Sequence, residues 1–156
     1  MNIYILRHGQ AEMQQTTDAA RRLTEKGRAD THSVLQKTIA RVANLKQLWA
    51  SPLVRAQQTA LIAQEYFPSL VVKTTELLIP EASSLALYGW LNQLQEDESS
   101  EASVLLVSHQ PLVGRVINQL CGVASDYYPM STSSLAALKV EIISPELAEF
   151  LWLQHA

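Results

Sequence analysis

Two histidines and two arginines stand where they could bind and react with an anion. Arg7 and His8 follow the first apolar run of the chain, and His109 follows a later one. Arg55 lies in a segment that reads Ser-Pro-Leu-Val-Arg-Ala. Arginine binds tetrahedral oxyanions through several N–H groups, and a neutral histidine is a competent nucleophile. The four residues therefore predict a pocket for a tetrahedral oxyanion.

Such a pocket requires strands that end at the same place. Residues 3–6 and 103–108 are short, continuous apolar runs typical of strands covered on both faces, and residues 47–50 form a shorter candidate strand. In a parallel sheet the carboxyl ends of the strands lie at one edge, where open α/β sheets hold their ligands. Helices that begin there would add backbone N–H groups to the pocket.

Helical patterns alternate with the strands along the whole chain. We predict four helices, over about 25–41, 52–66, 84–95 and 111–122. Thr24 is the predicted N-cap of the first helix, Ser51 is the N-cap and Pro52 the first residue of the second, and the fourth runs from about Pro111 to Gly122. Further strands are predicted over 71–74, 135–142 and 149–153, with a polar linker over 97–101. This alternation predicts a three-layer α/β/α sandwich with a mainly parallel central sheet, and a single domain over 1–156.

The composition excludes several classes of function. The chain has 156 residues, 47% hydrophobic and 17% charged, which is typical of a soluble globular domain. Its net charge of −3 and lack of like-charge runs argue against nucleic-acid or polybasic membrane binding. Its one cysteine, Cys121, allows no internal disulfide and no thiolate metal site. We expect a cytoplasmic protein without a membrane span.

Four separated motifs occur in a characteristic order. They are residues 7–9 (Arg-His-Gly), 21–27 (Arg-Arg-Leu-Thr-x-x-Gly), 51–59 (Ser-Pro-x-x-Arg-Ala-x-x-Thr) and 108–114 (Ser-His-x-Pro-Leu-Val-Gly). With them the chain resembles the histidine phosphatase superfamily, from Met1 to about Thr132. Its short length and the second motif resemble the SixA-type phosphohistidine phosphatases of that superfamily. The resemblance implies the phosphoglycerate mutase-like version of the predicted fold.

The resemblance also implies a metal-independent phosphatase that uses no cofactor. His8 would attack phosphorus and carry the phosphoryl group as a phosphohistidine until water removes it. Arg7, Arg55 and His109 would bind the three equatorial oxygens, whose charge must be held through the transition state. Arg21 would have a secondary role in substrate binding at the mouth of the pocket.

The superfamily pattern leaves the proton donor open. Many members place a glutamate after the third strand, and that position falls near Leu77 in this chain, between Glu76 and Glu81. These two glutamates are the candidate donors. A phosphoramidate leaves as a neutral imidazole once its nitrogen is protonated, which needs less help than expelling an alkoxide. A missing acid would thus favour cleavage of N–P over O–P bonds.

Three functions are consistent with these residues. The first is a phosphohistidine phosphatase acting on a phosphohistidine-containing signalling protein, such as the histidine phosphotransfer domain of a phosphorelay. The short chain between Pro68 and Ser103 supports it, because it leaves the pocket open to a folded protein. The second is a phosphatase of small phosphate monoesters, with Glu76 or Glu81 as the acid. The third is a non-catalytic module that binds phosphohistidine.

Overall fold

A computed structural model describes residues 1–97, 103–124 and 127–156. Its strands and helices in chain order are β1 (Asn2–Arg7), α1 (Glu25–Thr38), β2 (Leu45–Ala50), α2 (Val54–Tyr66), β3 (Val72–Thr74), α3 (Ser84–Asp97), β4 (Ser103–Ser108), α4 (Leu112–Cys121), β5 (Leu135–Lys139) and β6 (Glu149–Gln154). Short 3-10 turns lie at Asp18–Ala20, Ile39–Arg41 and Glu76–Leu78. Asp97, the first residue of the predicted linker, belongs to α3, and the rest of that linker lies outside the described residues.

The six strands form one sheet in the order β3-β2-β4-β1-β5-β6. Strands β1, β2, β3 and β4 pair in parallel, whereas β5 and β6 are antiparallel to their neighbours. Arg7, the last residue of β1, is the register partner of Ser108, the last residue of β4. The carboxyl ends of β1, β2 and β4 therefore lie at one edge, and the predicted mainly parallel α/β fold is confirmed.

Apolar residues cover both faces of the sheet. Along β1, Ile3 and Ile5 belong to a core cluster shared with α3 and α4, while Tyr4 and Leu6 belong to a second cluster shared with α1 and α2. All six residues of β4 are buried. Because side chains alternate between the two faces of a strand, two helical layers require a continuous apolar run rather than an alternating one.

Helix α2 begins later than predicted. It starts at Val54 with Leu53 as its N-cap, so the prediction of Ser51 as N-cap and Pro52 as first helical residue is wrong. The Ser51 amide still donates to Val107 of β4 (3.0 Å), which keeps this part of the chain at the sheet edge. The Ser51 hydroxyl instead accepts a hydrogen bond from the Leu53 amide (3.3 Å) within the turn.

Other boundaries differ by a few residues. Helix α1 ends at Thr38 rather than near residue 41, because the chain tightens into a 3-10 turn. Strand β5 ends at Lys139 rather than Ile142, although Val140 still exchanges two backbone hydrogen bonds with Met1 (2.8 and 2.9 Å). Helix α3 extends two residues beyond its predicted end, and β3 begins one residue late.

Two predicted helix ends are confirmed. The Thr24 side chain accepts a hydrogen bond from the Gly27 amide and caps the start of α1. Gly122 ends α4 in the left-handed conformation, with φ of 65°, which glycine adopts without strain. No helix within the described residues is long and apolar enough to cross a membrane.

Candidate active site

His8 lies directly after β1 and is nearly buried, with 8% of its surface exposed. Its Nδ1 atom is 2.7 Å from the carbonyl oxygen of Gly9. Because a carbonyl oxygen only accepts, Nδ1 must carry the proton, and the neutral ring then has its lone pair on Nε2. The Nε–H of Arg55 donates to this Nε2 atom at 3.3 Å. The unprotonated nitrogen of His8 therefore lies beside an arginine.

The surroundings of His8 keep its ring neutral. Burial, the largest cause, and the positive charges of Arg55, Arg7 and Arg21 together lower the pKa of His8 to about 4, against the opposing effect of the Gly9 carbonyl. Near neutral pH the imidazole is consequently unprotonated at Nε2. A histidine in this state is a nucleophile rather than a cation.

His109 and Arg7 provide further hydrogen-bond donors at the same edge. The ring of His109 is 1% exposed, and its centroid lies 4.9 Å from that of His8. Burial, followed by the neighbouring His8, lowers the pKa of His109 to about 3. Among the described residues, neither ring nitrogen of His109 nor the Nε atom of Arg7 has a hydrogen-bond partner. The Nε–H of Arg7 and the one N–H of neutral His109 are therefore donors that no described residue accepts from.

Arg55 is held by a residue that the sequence analysis did not single out. Its Nη1 donates to the carbonyl oxygen of Asp18 (2.8 Å), and its Nη2 to the Asp18 carboxylate (3.0 Å). The same carboxylate accepts from Nη1 of Arg21 (3.0 Å). The one available signal was the spacing of Asp18 and Arg21, which are three residues apart and oppositely charged.

Backbone groups between residues 130 and 134 also hold the site, and the sequence motifs did not predict them. The carbonyl oxygen of Met130 accepts from Nη1 of Arg7 (2.8 Å), and that of Ser134 accepts from the Arg7 amide (3.0 Å). The amide of Ser133 donates to the His8 carbonyl (3.1 Å). This segment thereby fixes the backbone on both sides of the Arg7–His8 bond.

Two glycines allow α1 to approach the loop that carries His8. A Cβ atom on Gly9 would lie 2.6 Å from the carbonyl oxygen of Gly27, and a Cβ on Gly27 would lie 2.1 Å from that of Gln10. Thr59 completes the packing, since its hydroxyl accepts from the Gly9 amide (3.1 Å) and donates to the Arg55 carbonyl (2.8 Å). The glycines of the motifs at 7–9 and 21–27 are thus in direct contact.

Comparison with known proteins agrees with the motifs. The model of the histidine phosphatase superfamily (branch 1) matches residues 3–79. The phosphohistidine phosphatase SixA homolog of Haemophilus influenzae is 30% identical over 166 aligned positions, which cover 99% of this chain and 100% of that protein. The chain belongs to the histidine phosphatase superfamily. Its SixA-type character, predicted from the motifs, is confirmed.

Two further relatives place the chain in the same part of the superfamily. The phosphohistidine phosphatase SixA of Escherichia coli is 29% identical over 139 residues, covering 88% of this chain and 83% of that protein. A solved structure of the protein histidine phosphatase SixA complexed with tungstate superposes with a TM-score of 0.85. It is 25% identical and covers 99% of this chain and 97% of its own.

The remaining predicted site residues make no direct hydrogen bond to His8 within the described residues. Arg21 donates through Nε to the Glu12 carbonyl (2.7 Å) and shares both the carboxylate and the carbonyl oxygen of Asp18 with Arg55. Glu76 and Glu81, the candidate superfamily acids, are both exposed. Within the described residues, no hydrogen bond or ion pair links either glutamate to the two histidines or to the arginines beside them. The assignment of either glutamate as the proton donor therefore stays a prediction.

Metal-binding side chains are not grouped in the described parts of the chain. Across residues 1–97, 103–124 and 127–156, no three histidine, cysteine, aspartate or glutamate side chains are placed to hold a metal ion. The positive charge described at this site comes from arginines.

Proposed function

We propose that this protein is a phosphohistidine phosphatase that dephosphorylates a histidine-phosphorylated signalling protein through a covalent phospho-His8 intermediate. The observation that carries the proposal is the state of His8: neutral, with its lone pair on Nε2, beside Arg55 and His109. Two relatives whose names include phosphohistidine phosphatase SixA support the substrate class. A phosphotransfer domain of a phosphorelay is the partner we favour, and it would be met in the cytoplasm.

The first step transfers the phosphoryl group to His8. Nε2 forms a bond to phosphorus as the substrate N–P bond breaks, and the electron pair of that bond stays on the substrate imidazole. Phosphorylation gives the His8 ring a positive character, which the Gly9 carbonyl stabilises through its hydrogen bond to Nδ1–H. A water oxygen then bonds to phosphorus, the electron pair returns to Nε2, and inorganic phosphate leaves.

Arg7, Arg55 and His109 stabilise the transferring group. The charge of the transition state is spread over three equatorial oxygens, and fixed donors in a site with little water stabilise that charge strongly. Arg55 and His109 are 4% and 1% exposed, so their side chains are already ordered by packing. We propose that these cationic and neutral donors suffice without a metal ion.

In the part of the chain that the structure describes, Glu76 and Glu81 make no hydrogen bond or ion pair with His8 or His109, which supports N–P over O–P substrates. An alkoxide leaving group needs a proton from an acid at the reacting atoms, whereas an imidazole that carries a proton on its other ring nitrogen takes the electron pair of the N–P bond and leaves as a neutral ring. An acid placed at the nucleophile would have supported a monoester substrate instead.

The test uses a phosphotransfer domain labelled with radioactive phosphate on its histidine. Wild-type protein should acquire acid-labile phosphate within the first turnover and then release inorganic phosphate. His8→Ala should acquire none. His32→Ala is the matched control, since His32 contacts Tyr66 away from the site (3.0 Å) and should leave labelling unchanged. Phosphate release by His8→Ala at the wild-type rate would contradict the proposal.

The same assay separates the two other functions. If Glu76→Gln or Glu81→Gln reduces hydrolysis of a small monoester, and that ester labels His8 faster than the phosphoprotein, the small-molecule function is correct. Tight binding of the phosphoprotein without any labelled His8 would instead identify a binding module. We expect neither result, and we expect both glutamate variants to match the wild type.

A further inference from the structure

Asp18 accepts hydrogen bonds from Arg55, which contacts His8, and from Arg21, including one from the Arg21 amide to its carbonyl oxygen (3.2 Å). Its carbonyl oxygen and its Oδ2 accept from Nη1 and Nη2 of Arg55 (2.8 and 3.0 Å), and its Oδ1 accepts from Arg21 (3.0 Å). Half of the Asp18 side chain is exposed, whereas that of Arg55 is 4% exposed. A surface carboxylate thus holds the outer edge of a buried guanidinium.

These contacts determine which N–H groups of Arg55 remain for a phosphoryl group. A guanidinium has five N–H donors in a rigid plane. One of them points from Nε to His8 Nε2, and two point to Asp18. Because the plane is rigid, fixing the Nη edge also fixes the direction of the Nε–H. Two N–H groups of Arg55 have no partner among the described residues and are left for phosphoryl oxygens.

The charges at the site also allow the Asp18 carboxylate to stay bound to Arg55 while a phosphoryl group is present. Arg7, Arg21 and Arg55 contribute three positive charges and Asp18 one negative charge, which leaves two positive charges. A phosphoryl group carries about two negative charges at neutral pH. Arg21 balances Asp18 at the outer edge, so the carboxylate does not neutralise the arginine that faces His8.

We propose that Asp18 is a positioning residue that orients Arg55 toward the phosphoryl group, with Arg21 as the counter-ion of Asp18. The proposal rests on the proposed function, because the oriented donors act on the phosphoryl group attacked by His8. It also reassigns Arg21, which the resemblance placed in substrate binding, to the support of Arg55.

The opposite role for Asp18 would be inhibition. In that case Asp18 would occupy donors that the substrate needs, and its removal would speed the reaction. The two roles predict effects of opposite sign. The position of Asp18 at the Nη edge, away from the bond between Arg55 Nε and His8, favours positioning.

The experiment compares Asp18→Asn with Asp30→Asn. Asp30 is also ion-paired, with Lys26 in α1, so both variants remove one carboxylate charge from an ion pair. The rate of His8 labelling by the phosphotransfer domain is measured in a single turnover, and the affinity for inorganic phosphate by competition. We expect Asp18→Asn to lower the labelling rate about 10- to 100-fold, the range expected when a catalytic donor is misplaced. Phosphate affinity should change much less, and Asp30→Asn should match the wild type.

A double-mutant cycle shows whether Asp18 acts through Arg55. Arg55→Lys keeps the charge but loses the planar donor group that Asp18 holds. In that background, Asp18→Asn should change the labelling rate by less than about threefold, because the orientation it provides no longer matters. The proposal would be overturned if Asp18→Asn lowered the labelling rate equally in the wild type and in Arg55→Lys. It would also be overturned if Asp18→Asn were labelled faster than the wild type.

A readout independent of activity separates this proposal from the proposed function. The Arg55 Nε–H should give a resolved signal in proton–nitrogen NMR spectra of the wild type and of Asp30→Asn. It should shift or broaden in Asp18→Asn. If His8 of the wild type is not labelled but the Arg55 signal still changes in Asp18→Asn, the proposed function is wrong while the orientation of Arg55 by Asp18 is supported. An unchanged Arg55 signal in Asp18→Asn would overturn positioning.

Discussion

At the scale of single residues, the chemistry depends on the protonation state of His8. The Gly9 carbonyl selects which nitrogen carries the proton, and burial together with three arginines keeps the ring neutral. His109 is neutral for similar reasons, with burial as the main cause. Two buried neutral histidines, 4.9 Å apart, therefore lie together at the end of the central strands.

This pair makes stability dependent on pH. In the unfolded chain a histidine titrates near its ordinary pKa of about 6.5, whereas the pKa values of folded His8 and His109 are about 4 and about 3. Between those values the unfolded chain binds more protons, so the free energy of unfolding rises with pH. The stabilisation is complete above about pH 6.5 and is lost as the pH falls toward 4.

The measurement is urea unfolding at pH 4.5 and pH 7. We expect His109→Gln to show a smaller difference in unfolding free energy between the two pH values than the wild type shows. His32→Gln serves as the control, because His32 contacts Tyr66 rather than the site, and it should keep the wild-type difference. An unchanged difference in His109→Gln would contradict the burial of a neutral His109.

At the scale of elements, the contact between α1 and the His8 loop positions the nucleophile. Gly27 lies in the first turn of α1, where a glycine costs about 1 kcal/mol of helix stability relative to alanine. The close approach of Gln10 offsets that cost, because no Cβ fits between the two backbones. Glycine is present for packing rather than for conformational freedom.

Gly27→Ala should therefore destabilise the protein despite its better helix propensity. The clash is with backbone atoms, so the helix or the His8 loop must move. We expect a lower melting temperature and slower labelling of His8. Gly89→Ala in α3 is the matched control: a Cβ there meets nothing within 4 Å, and the substitution should stabilise by up to about 1 kcal/mol. Stabilisation by both substitutions would show that the close contact is absent.

The start of α2 shows why element boundaries were harder to predict than the elements. Ser-Pro is a common helix start, and the local pattern indicated one at Ser51. The amide of Ser51 is instead used by β4, a strand more than fifty residues later in the chain. The Ser51 carbonyl, which would accept the first helical bond, accepts from the Gln57 side chain instead (2.7 Å), and the first helical bonds run to the Leu53 carbonyl, so the helix begins at Val54.

At the scale of the whole molecule, two apolar clusters share one sheet. Adjacent residues of β4 point to opposite faces, with Leu106 in the cluster of α3 and α4 and Leu105 in the cluster of α1 and α2. Both leucines are 1% exposed. The strands from both ends of the chain join the same sheet, which supports our proposal that residues 1–156 act as one domain.

A single domain should unfold in one transition. Leu105→Ala and Leu106→Ala should each lower the free energy of unfolding by about 2–5 kcal/mol, the usual cost of a cavity in a packed core. Fluorescence and circular dichroism should report the same midpoint for each variant. Two separate transitions, each sensitive to only one of the substitutions, would contradict the single domain.

The sequence by itself determined the alternation of strands and helices, the parallel centre of the sheet and the order of the motifs. It also placed His8 and His109 at strand ends. These features follow from the periodicity of apolar residues and from local helix-capping and turn residues, which are properties of neighbouring residues. Parallel pairing then brings distant strand ends together without further information.

Only the tertiary structure decided what holds those residues in place. Asp18 meets Arg55 across 37 positions, and Met130 meets Arg7 across 123. The partners of a loop depend on the path of the whole chain rather than on a local pattern, so Asp18 and the segment from Met130 to Ser134 escaped prediction. The same path left Glu76 and Glu81 exposed and brought the Asp18 carboxylate to Arg55.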